Sequence, residues 1–217
     1  MSYDLYLRDP VTREKLEVPA HMMYGCNIKC EEINGVLVPT STTEAYLNIT
    51  YNYSSYYHDA FPGKEENQQK YEKDKELFNI TDTSGGIRTL NGMTGLMAVS
   101  ILNEMIRRIE EKYRSPDGWI TTERKKVWFE NREDNQVQKD STDLLMEYFE
   151  LKRKGLSDEE AGKNIDDQWK RCEGIVRVNE GETDNYWNPT AANAIRPLYQ
   201  LIVLSQMRPD GIWSEES

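Results

Sequence analysis

The chain has 217 residues, a length typical of one domain or at most two. Its 27 lysines and arginines stand against 38 acidic residues. The resulting formal net charge of -11 excludes a protein that binds nucleic-acid backbones, because such proteins present a basic face. No apolar run approaches the roughly 20 residues that span a bilayer. The first residues lack the pattern of a secretory signal, so the sequence predicts a cytoplasmic protein.

Strand patterns begin at the N-terminus. Residues 2–9 alternate between apolar and polar positions, which predicts a strand that ends at Pro10. Residues 16–18 predict a short partner strand for residues 2–9, and residues 35–38 form a second short apolar run. Pro39 restricts the second run to a sheet edge or a strand end, because proline lacks the backbone donor of a central strand.

The segment 42–53 alternates again and is rich in β-branched and aromatic residues. It predicts a strand or an extended segment that leads into a short helix over residues 54–61. Residues 62–76 are polar and of mixed charge, which indicates a surface loop or a solvated helix without a core face.

A glycine-dense segment, residues 83–95, precedes a strongly amphipathic helix. Apolar residues recur at three- and four-residue steps from Leu96 to Ile109, and Thr94 is the predicted N-cap. Basic residues near the predicted end of this helix suit its dipole. This is the clearest helix prediction in the chain.

Two predicted helices end in the same motif, Pro-Asp-Gly followed by a tryptophan. The motif occurs at residues 116–119 and at residues 209–213, the second after a helix predicted to open at Pro189. Proline cannot continue a helix, Asp-Gly favours a turn, and the tryptophan folds back over the helix end. An internal duplication and a common way of ending a helix both explain the repeat.

The middle of the chain predicts an extended arm or hairpin over 120–129 and a helix over 141–154. A capping box at Ser157 predicts a further helix that reaches Cys172. Together these patterns predict an α+β, helix-rich fold, in which short N-terminal strands pack with several amphipathic helices.

The glycine-dense segment is also a candidate anion site. Gly85 and Gly86 leave backbone amides uncovered, the following helix presents its positive end, and Arg88 offers a bidentate clamp for phosphate. The other interpretation is a loop that requires positive φ at several places, with Arg88 solvated. The spacing of the glycines matches no known fingerprint, so both interpretations stay open.

A patch of tyrosines and asparagines is the second part of the candidate ligand site. Asn48, Tyr51, Asn52 and Tyr53 are residue types that stack on bases and hydrogen-bond to riboses. Strand alternation would place Tyr51 and Tyr53 on one side and the two asparagines on the other. The alternative is that the tyrosines are half-buried core residues with solvated hydroxyls.

No familiar catalytic set is present, and no catalytic residue, cofactor or metal is predicted. The histidines are few, and His58 is interpreted as structural. A zinc site could be assembled from Cys26, Cys30 and Cys172 with a histidine, but the spacing is not that of a finger or ribbon. Small buried or half-exposed thiols are the favoured interpretation.

Several segments carry a resemblance to a known family. They are residues 1–12, 42–54, 86–88 with Gly92 and Gly95, 186–190, 193–194 and 207–213. These segments resemble a family of small proteins encoded by bacteriophages and prophages, to which no activity is attached. Residues 113–182 do not fit the shorter members. The resemblance therefore implies a single domain over 1–217 that contains 113–182 as a helical insertion.

The resemblance implies an accessory protein that counters host defence in the cytoplasm of a bacterium. The candidate site favours sequestration of a small, phosphate-bearing, nucleotide-derived signal. In that hypothesis the tyrosines and asparagines hold the base or ribose, and Gly85, Gly86 and Arg88 hold the phosphates. No direct contact with nucleic acid or membrane is expected.

Two other functions stay open. One is a protein–protein inhibitor whose acidic surface blocks a host defence enzyme or nuclease, with Trp119, Trp128 and Trp169 as anchors. The other is a nucleotide-processing enzyme that uses His58 or Arg88. A homodimer is also predicted, because the C-terminal helix is more apolar than one buried face requires.

Overall fold

The computed structural model describes residues 2–23, 27–130, 138–139 and 141–216, except for the side chains of 123–127, 129–130, 138, 141–142 and 171–176. In chain order the strands are β1 (Ser2–Arg8), β2 (Glu17–Pro19), β3 (Cys30–Ile33), β4 (Val36–Pro39), β5 (Thr42–Glu44), β6 (Tyr46–Thr50), β7 (Ile120–Glu130), β8 (Gln138–Lys139), β9 (Trp169–Asn179) and β10 (Ile212–Glu216). The helices are α1 (Ser54–Ala60), α2 (Gln68–Phe78), α3 (Gly95–Tyr113), α4 (Ser141–Arg153), α5 (Asp158–Gln168) and α6 (Ala191–Met207). The predicted α+β, helix-rich class is confirmed.

The chain forms two compact units. The first unit comprises residues 1–120 and 179–217, and the second comprises residues 121–178. The second unit therefore interrupts the first and lies within the segment 113–182 that the resemblance marks as an insertion. Its two ends leave from one place in the first unit, where the Glu180 amide donates to the Trp119 carbonyl at 2.8 Å.

An antiparallel sheet of order β10-β1-β6 lies in the first unit. The alternation predicted for residues 2–9 is confirmed, because Tyr3, Leu5 and Leu7 of β1 are buried. The last strand, β10, pairs with the first strand, β1, and Leu7 lies opposite Trp213. The Trp213 indole is fully buried and donates to Ser205 Oγ at 3.0 Å, as expected of a tryptophan that covers a helix end.

The helices α3 and α6 pack together in this unit. The predicted N-cap of α3 is confirmed, since the Thr94 hydroxyl accepts from the Met97 amide. Gly95 is required at the start of α3, because a Cβ there would lie 2.3 Å from the Arg208 carbonyl oxygen, beyond the end of α6. The close contact of the two helices thus depends on the absence of a side chain at position 95.

α6 begins later than predicted. Thr190 is its N-cap, so the predicted start at Pro189 is wrong by two residues. The reason is a buried carboxylate: Glu180 accepts from the Ala191 amide at 2.9 Å and from the Tyr56 hydroxyl at 2.7 Å. A buried anion at this position compensates the positive end of the helix dipole.

The polar stretch 62–76 has a core face after all. It contributes most of α2, where Tyr71 and Asp74 are buried. Both Asp74 carboxylate oxygens accept from Arg108 of α3, at 2.6 and 2.7 Å. Arg108 also lies over the Phe61 ring, 4.4 Å from its centre. The ion pair between Arg108 and Asp74 therefore provides the contact between α2 and α3 that apolar residues provide between other elements.

The second unit contains a sheet of order β8-β7-β9 and the helix pair α4 and α5. Leu144, Ala161 and Trp169 are buried in it. The predicted capping box at Ser157 is confirmed. The prediction that this helix reaches Cys172 is wrong, because the chain enters β9 at Trp169.

The apolar residues of α6 are largely accounted for within the first unit. Leu198, Leu201 and Leu204 are buried there, while Tyr199 and Val203 are exposed on the opposite side. The composition of this helix therefore no longer argues for a shared interface, and a homodimer stays a prediction without support from α6. Within the described residues, every helix is too short or too polar to cross a membrane.

Candidate functional site

Two of the predicted ligand residues lie close together. The Tyr51 ring meets the Tyr3 ring edge-on, with centroids 4.2 Å apart, and the Arg88 guanidinium lies 5.6 Å from the centre of the same Tyr3 ring. The Tyr3 hydroxyl donates to Ser54 Oγ at 2.8 Å. The geometry thus brings the tyrosine patch and the glycine-dense segment together at Tyr3.

The Arg88 guanidinium is already engaged in this cluster. Its Nε and Nη2 atoms donate to the two carboxylate oxygens of Glu215, at 2.5 and 3.0 Å. Hydrogen bonding to Glu215 raises the pKa of Arg88, and the Glu215 side chain is only 6% exposed. A phosphate could use the same bidentate face only by displacing a buried carboxylate.

The glycine amides are also bonded within the chain. The amides of Gly86 and Gly92 donate to the carbonyls of Phe61 and Trp213, at 2.7 and 2.9 Å. The first amides of α3 point at other carbonyls, because Gly95 donates to Gly211 at 2.8 Å and Leu96 donates to Pro209 at 3.1 Å. An anion at this helix start would have to break these bonds.

Tyr51 and Tyr53 do not lie on a strand. β6 ends at Thr50, whose hydroxyl accepts from the Asn52 amide, and Tyr51–Tyr53 form a 3-10 turn. The predicted alternation therefore fails here, because the threonine cap ends the strand. Tyr51 is half-buried, while Tyr53 is fully buried, donates to the Tyr186 carbonyl and has its pKa raised by burial to about 12.

The two asparagines bond to neighbouring parts of the first unit. Asn48 donates to Ser2 Oγ and to Asp4 Oδ1, both at 2.7 Å. Asn52 donates to the Trp187 carbonyl at 2.8 Å. Both side chains are exposed but tie β6 and the following turn to other segments. Their amides therefore contribute to the fold and are not poised for a ligand.

His58 is also a structural link. Its Nδ1 lies 2.9 Å from Glu66 Oε2, and the same carboxylate oxygen accepts from the Gly63 amide. The imidazole packs on Gly86, where a Cβ would lie 2.7 Å from His58 Cδ2. This contact leaves no room for a side chain at position 86, and it connects α1 to the glycine-dense segment.

The segment 29–40, named the β-arm here, is a feature that the sequence pattern predicts only in part. Its strands β3 and β4 pair with each other, with Ile33 opposite Val36. Asn34 and Gly35 connect them with φ values of 55° and 80°, the signature of a tight type I′ turn. The short apolar run predicted near 35–38 is thus one half of a hairpin.

The tip of the β-arm is apolar and exposed. Ile33, Val36 and Leu37 are 48%, 61% and 71% exposed. The carboxylates of Glu31 and Glu32 are exposed on the adjacent strand β3. An apolar tip with two adjacent acidic side chains matches a surface that buries apolar groups next to positive charge.

The root of the β-arm is fixed to the core. Val18 of β2 and Ala20 are buried, and β2 pairs with β5 on the return side of the arm. The Ala20 amide donates to the Ser41 carbonyl, and the Thr40 amide donates to the Lys29 carbonyl, both at 2.9 Å. The segments that flank the hairpin are therefore bonded to each other and lie next to buried residues of the first unit.

The tryptophans predicted as anchors are not exposed. Trp169 is buried, with Lys139 Nζ 4.3 Å from its ring centre, and Trp119 and Trp128 are half-buried. Burial makes Trp169 a poor anchor for a partner, whereas Trp119 and Trp128 keep part of their surface exposed. The exposed apolar residues of the described chain lie elsewhere, above all on the β-arm and on α4.

An open cavity of about 800 Å³ is lined by residues of α2 and of the segment that follows it, and none of the predicted ligand residues belongs to its lining. Its lining is mixed and charged, with Lys73 and Glu76 among its members. Within the described residues, no three histidine, cysteine or acidic side chains are grouped as metal ligands. Cys26 and the side chain of Cys172 lie outside what the structure describes, and Cys30 is an exposed free thiol.

The chain matches no protein-family model, no curated protein and no solved structure.

Proposed function

We propose that this chain is a protein-binding protein, and that its β-arm enters an apolar pocket bordered by basic side chains on a partner protein. The observation that carries the proposal is the exposed apolar tip formed by Ile33, Val36 and Leu37. Large apolar side chains gathered on one projecting element mark interaction sites more often than ordinary surface. A hairpin that is already folded also loses little conformational entropy on binding.

Charge supports a basic partner. Glu31 and Glu32 border the tip, and the whole chain carries a formal net charge of -11. Opposite charges accelerate encounter and suppress binding to acidic surfaces, whereas the apolar tip supplies affinity. Enzymes that act on nucleic acid have basic channels, so such an enzyme is the partner class that this surface fits best.

The resemblance to phage and prophage proteins supports a target inside a bacterial host. We therefore place a host defence enzyme or nuclease first among the proposed partners. In this proposal the chain acts as an inhibitor that occupies the basic channel and carries out no chemistry of its own. The β-arm replaces the three tryptophans as the proposed anchor.

Sequestration of a nucleotide-derived signal has less support from the geometry. The Arg88 clamp is bonded to Glu215, and the amides of Gly86 and Gly95 are bonded to carbonyls of the same chain. Nucleotides at millimolar concentration should therefore leave the melting temperature unchanged. A ligand at 100 times its dissociation constant adds about 2.7 kcal/mol, so a clear upward shift would restore the nucleotide proposal.

Position-specific photo-crosslinking in bacterial cells tests the β-arm directly. A photoreactive phenylalanine analogue at Leu37 should trap one main protein, because this side chain would lie in the partner's pocket. The same analogue at Leu77 of α2 is the matched control, since Leu77 is equally exposed but far along the chain from the arm. Leu77 should not trap that protein.

Charge variants complete this test. Glu31→Lys with Glu32→Lys in the Leu37 crosslinker background should reduce the trapped product at least tenfold, because like charges would now face the basic rim. Added salt should weaken capture by the original chain in the same direction. Identical products from Leu37 and Leu77, or capture that is insensitive to both acidic residues, would overturn the proposal.

A further inference from the structure

The dipeptide Asn-Gly occurs twice in the chain, at Asn34-Gly35 and at Asn91-Gly92. An asparagine before a glycine is prone to react with the main chain, because glycine has no side chain to shield its amide nitrogen from the asparagine. The two glycines share a φ of 80°. The two pairs differ in what holds the asparagine and the amide, so one pair serves as the control for the other.

Asn34 and Gly35 are held only by the turn at the tip of the β-arm. Both residues are exposed, and a Cβ at Gly35 would meet nothing within 4 Å. Among the hydrogen bonds of the described residues, none involves the Asn34 side chain or the Gly35 amide. The Asn34 side chain is therefore able to rotate towards the next nitrogen, and an exposed turn opens at little cost to the core.

Asn91 and Gly92 are held at every group that such a reaction uses. Asn91 Nδ2 donates to Asp82 Oδ2 at 2.8 Å, and Asn91 Oδ1 accepts from the Glu215 amide at 3.0 Å. The Gly92 amide donates to the Trp213 carbonyl at 2.9 Å. A reaction between the asparagine and this amide must first break all three hydrogen bonds, so the fold protects this pair.

We propose that Asn34 is a site of spontaneous covalent modification, where the Gly35 nitrogen closes a succinimide ring on the asparagine side chain. A hydroxide ion removes the Gly35 amide proton, and the nitrogen attacks Asn34 Cγ. The N–Cγ bond forms, the Cγ–Nδ2 bond breaks, and ammonia leaves with a proton from water, which regenerates the hydroxide. A water molecule then opens the ring at either carbonyl, which gives aspartate or isoaspartate at this position.

The two products change the β-arm differently. Isoaspartate carries the main chain through an extra carbon, so the two-residue type I′ turn no longer fits and Ile33 loses its register with Val36. Aspartate keeps the turn and adds a negative charge near Glu31 and Glu32. The effect on a partner rests on the proposed function: isoaspartate should reduce crosslinking from Leu37, and aspartate should increase it with a basic partner.

Peptide mass spectrometry, after incubation of the full chain in mildly alkaline buffer, measures the reaction. The mass shift of an amide converted to an acid should develop at Asn34 at least about tenfold faster than at Asn91, because the three hydrogen bonds around Asn91 and Gly92 must break first. The rate at Asn34 should rise with the hydroxide concentration. The Asp-Gly pairs of the chain do not interfere, since isomerisation of an aspartate leaves the mass unchanged.

Incubation in urea is the control for the fold. In the unfolded chain the two pairs should react at rates within about threefold of each other, because the hydrogen bonds around Asn91 are then absent. Equal rates at the two pairs in the folded chain, or an Asn34 that converts only in urea, would overturn the proposal. Mass spectrometry reads the modification without any partner, so its failure is distinguishable from failure of the proposed function.

Discussion

The glycine-dense segment 83–95 and the β-arm use their residues in opposite ways. The first holds amides and an arginine of the kind that bind anions, yet these groups are bonded to carbonyls and a carboxylate of the same chain. The second holds apolar side chains of the kind that fill cores, yet they are exposed. Residue type states what a group is able to bind, and its neighbours in the fold decide whether the group is free to do so.

Two glycines with nearly equal φ angles distinguish these regions most clearly. Gly85 has a φ of 78° and Gly35 has a φ of 80°, but a Cβ at Gly85 would lie 2.2 Å from the Gly63 nitrogen, whereas a Cβ at Gly35 meets nothing within 4 Å. Gly85→Ala should lower the free energy of unfolding by about 4 kcal/mol, the sum of backbone strain and overpacking. Gly35→Ala should cost only about 1 kcal/mol. Urea unfolding of both variants checks this, and equal losses would contradict it.

Arg88 should matter for stability. Its removal leaves the nearly buried Glu215 carboxylate without its partner, so Arg88→Ala should lower the free energy of unfolding by about 3 kcal/mol. Arg107→Ala is the control on the exposed face of α3, where solvent screens the ion pair and its loss should change stability far less. Thermal and denaturant unfolding measure both. A stable Arg88→Ala chain would argue that Arg88 is reserved for a ligand.

Acid should weaken the helix that follows the glycine-dense segment. Hydrogen bonds from Arg107 and then Arg108 lower the pKa of Glu104 to about 2, below its ordinary value of 4.5. The ionised form is therefore favoured in the folded state. Its contribution to stability is complete above pH 4.5 and disappears as the pH falls through about 2.

Glu104→Gln lacks this contribution at every pH. The difference in the free energy of unfolding between the original chain and Glu104→Gln should therefore shrink as the pH falls from 7 to 2. Denaturant unfolding at a series of pH values measures it. A difference that stays constant or grows on acidification would show that Glu104 is not held ionised by these arginines.

The β-arm should give the smallest effect on stability. Val36→Ser with Leu37→Ser removes apolar groups that touch solvent, so the free energy of unfolding should change by less than about 0.5 kcal/mol. A crosslinker at a third position on the β-arm should nevertheless no longer trap the partner protein. A large loss of stability would mean that the tip packs against the chain itself.

Local signals predicted the elements that are determined locally. The helix after Thr94, the short helix near residues 54–61 and the strand at residues 2–9 follow from a cap, from spacing and from alternation, and the structure contains all three. β9 was missed because Ile165, Trp169 and Cys172 have helical spacing. Its conformation depends on pairing with β7, some fifty residues earlier, and no local pattern reports that pairing.

The candidate site shows the same limit. Gly86 and Arg88 stand out in sequence, but the groups that occupy them, the Phe61 carbonyl and the Glu215 carboxylate, come from distant segments. The sequence does not predict the exposure of Leu37 either, because a short apolar run next to Pro39 is typical of an edge strand. Asn34-Gly35 between two apolar stretches was the available signal for a projecting hairpin.

The hydrogen bond between Glu180 and Trp119 places the two attachment points of the second unit side by side in the first unit. A segment that leaves and returns at one point must have its own two ends close together, but its interior is otherwise unconstrained by the attachment. Replacement of the second unit by another domain whose ends are equally close should therefore leave the core of the first unit intact. The same position offers an engineer a place to install a reporter domain, provided that the ends of the guest lie a few ångströms apart.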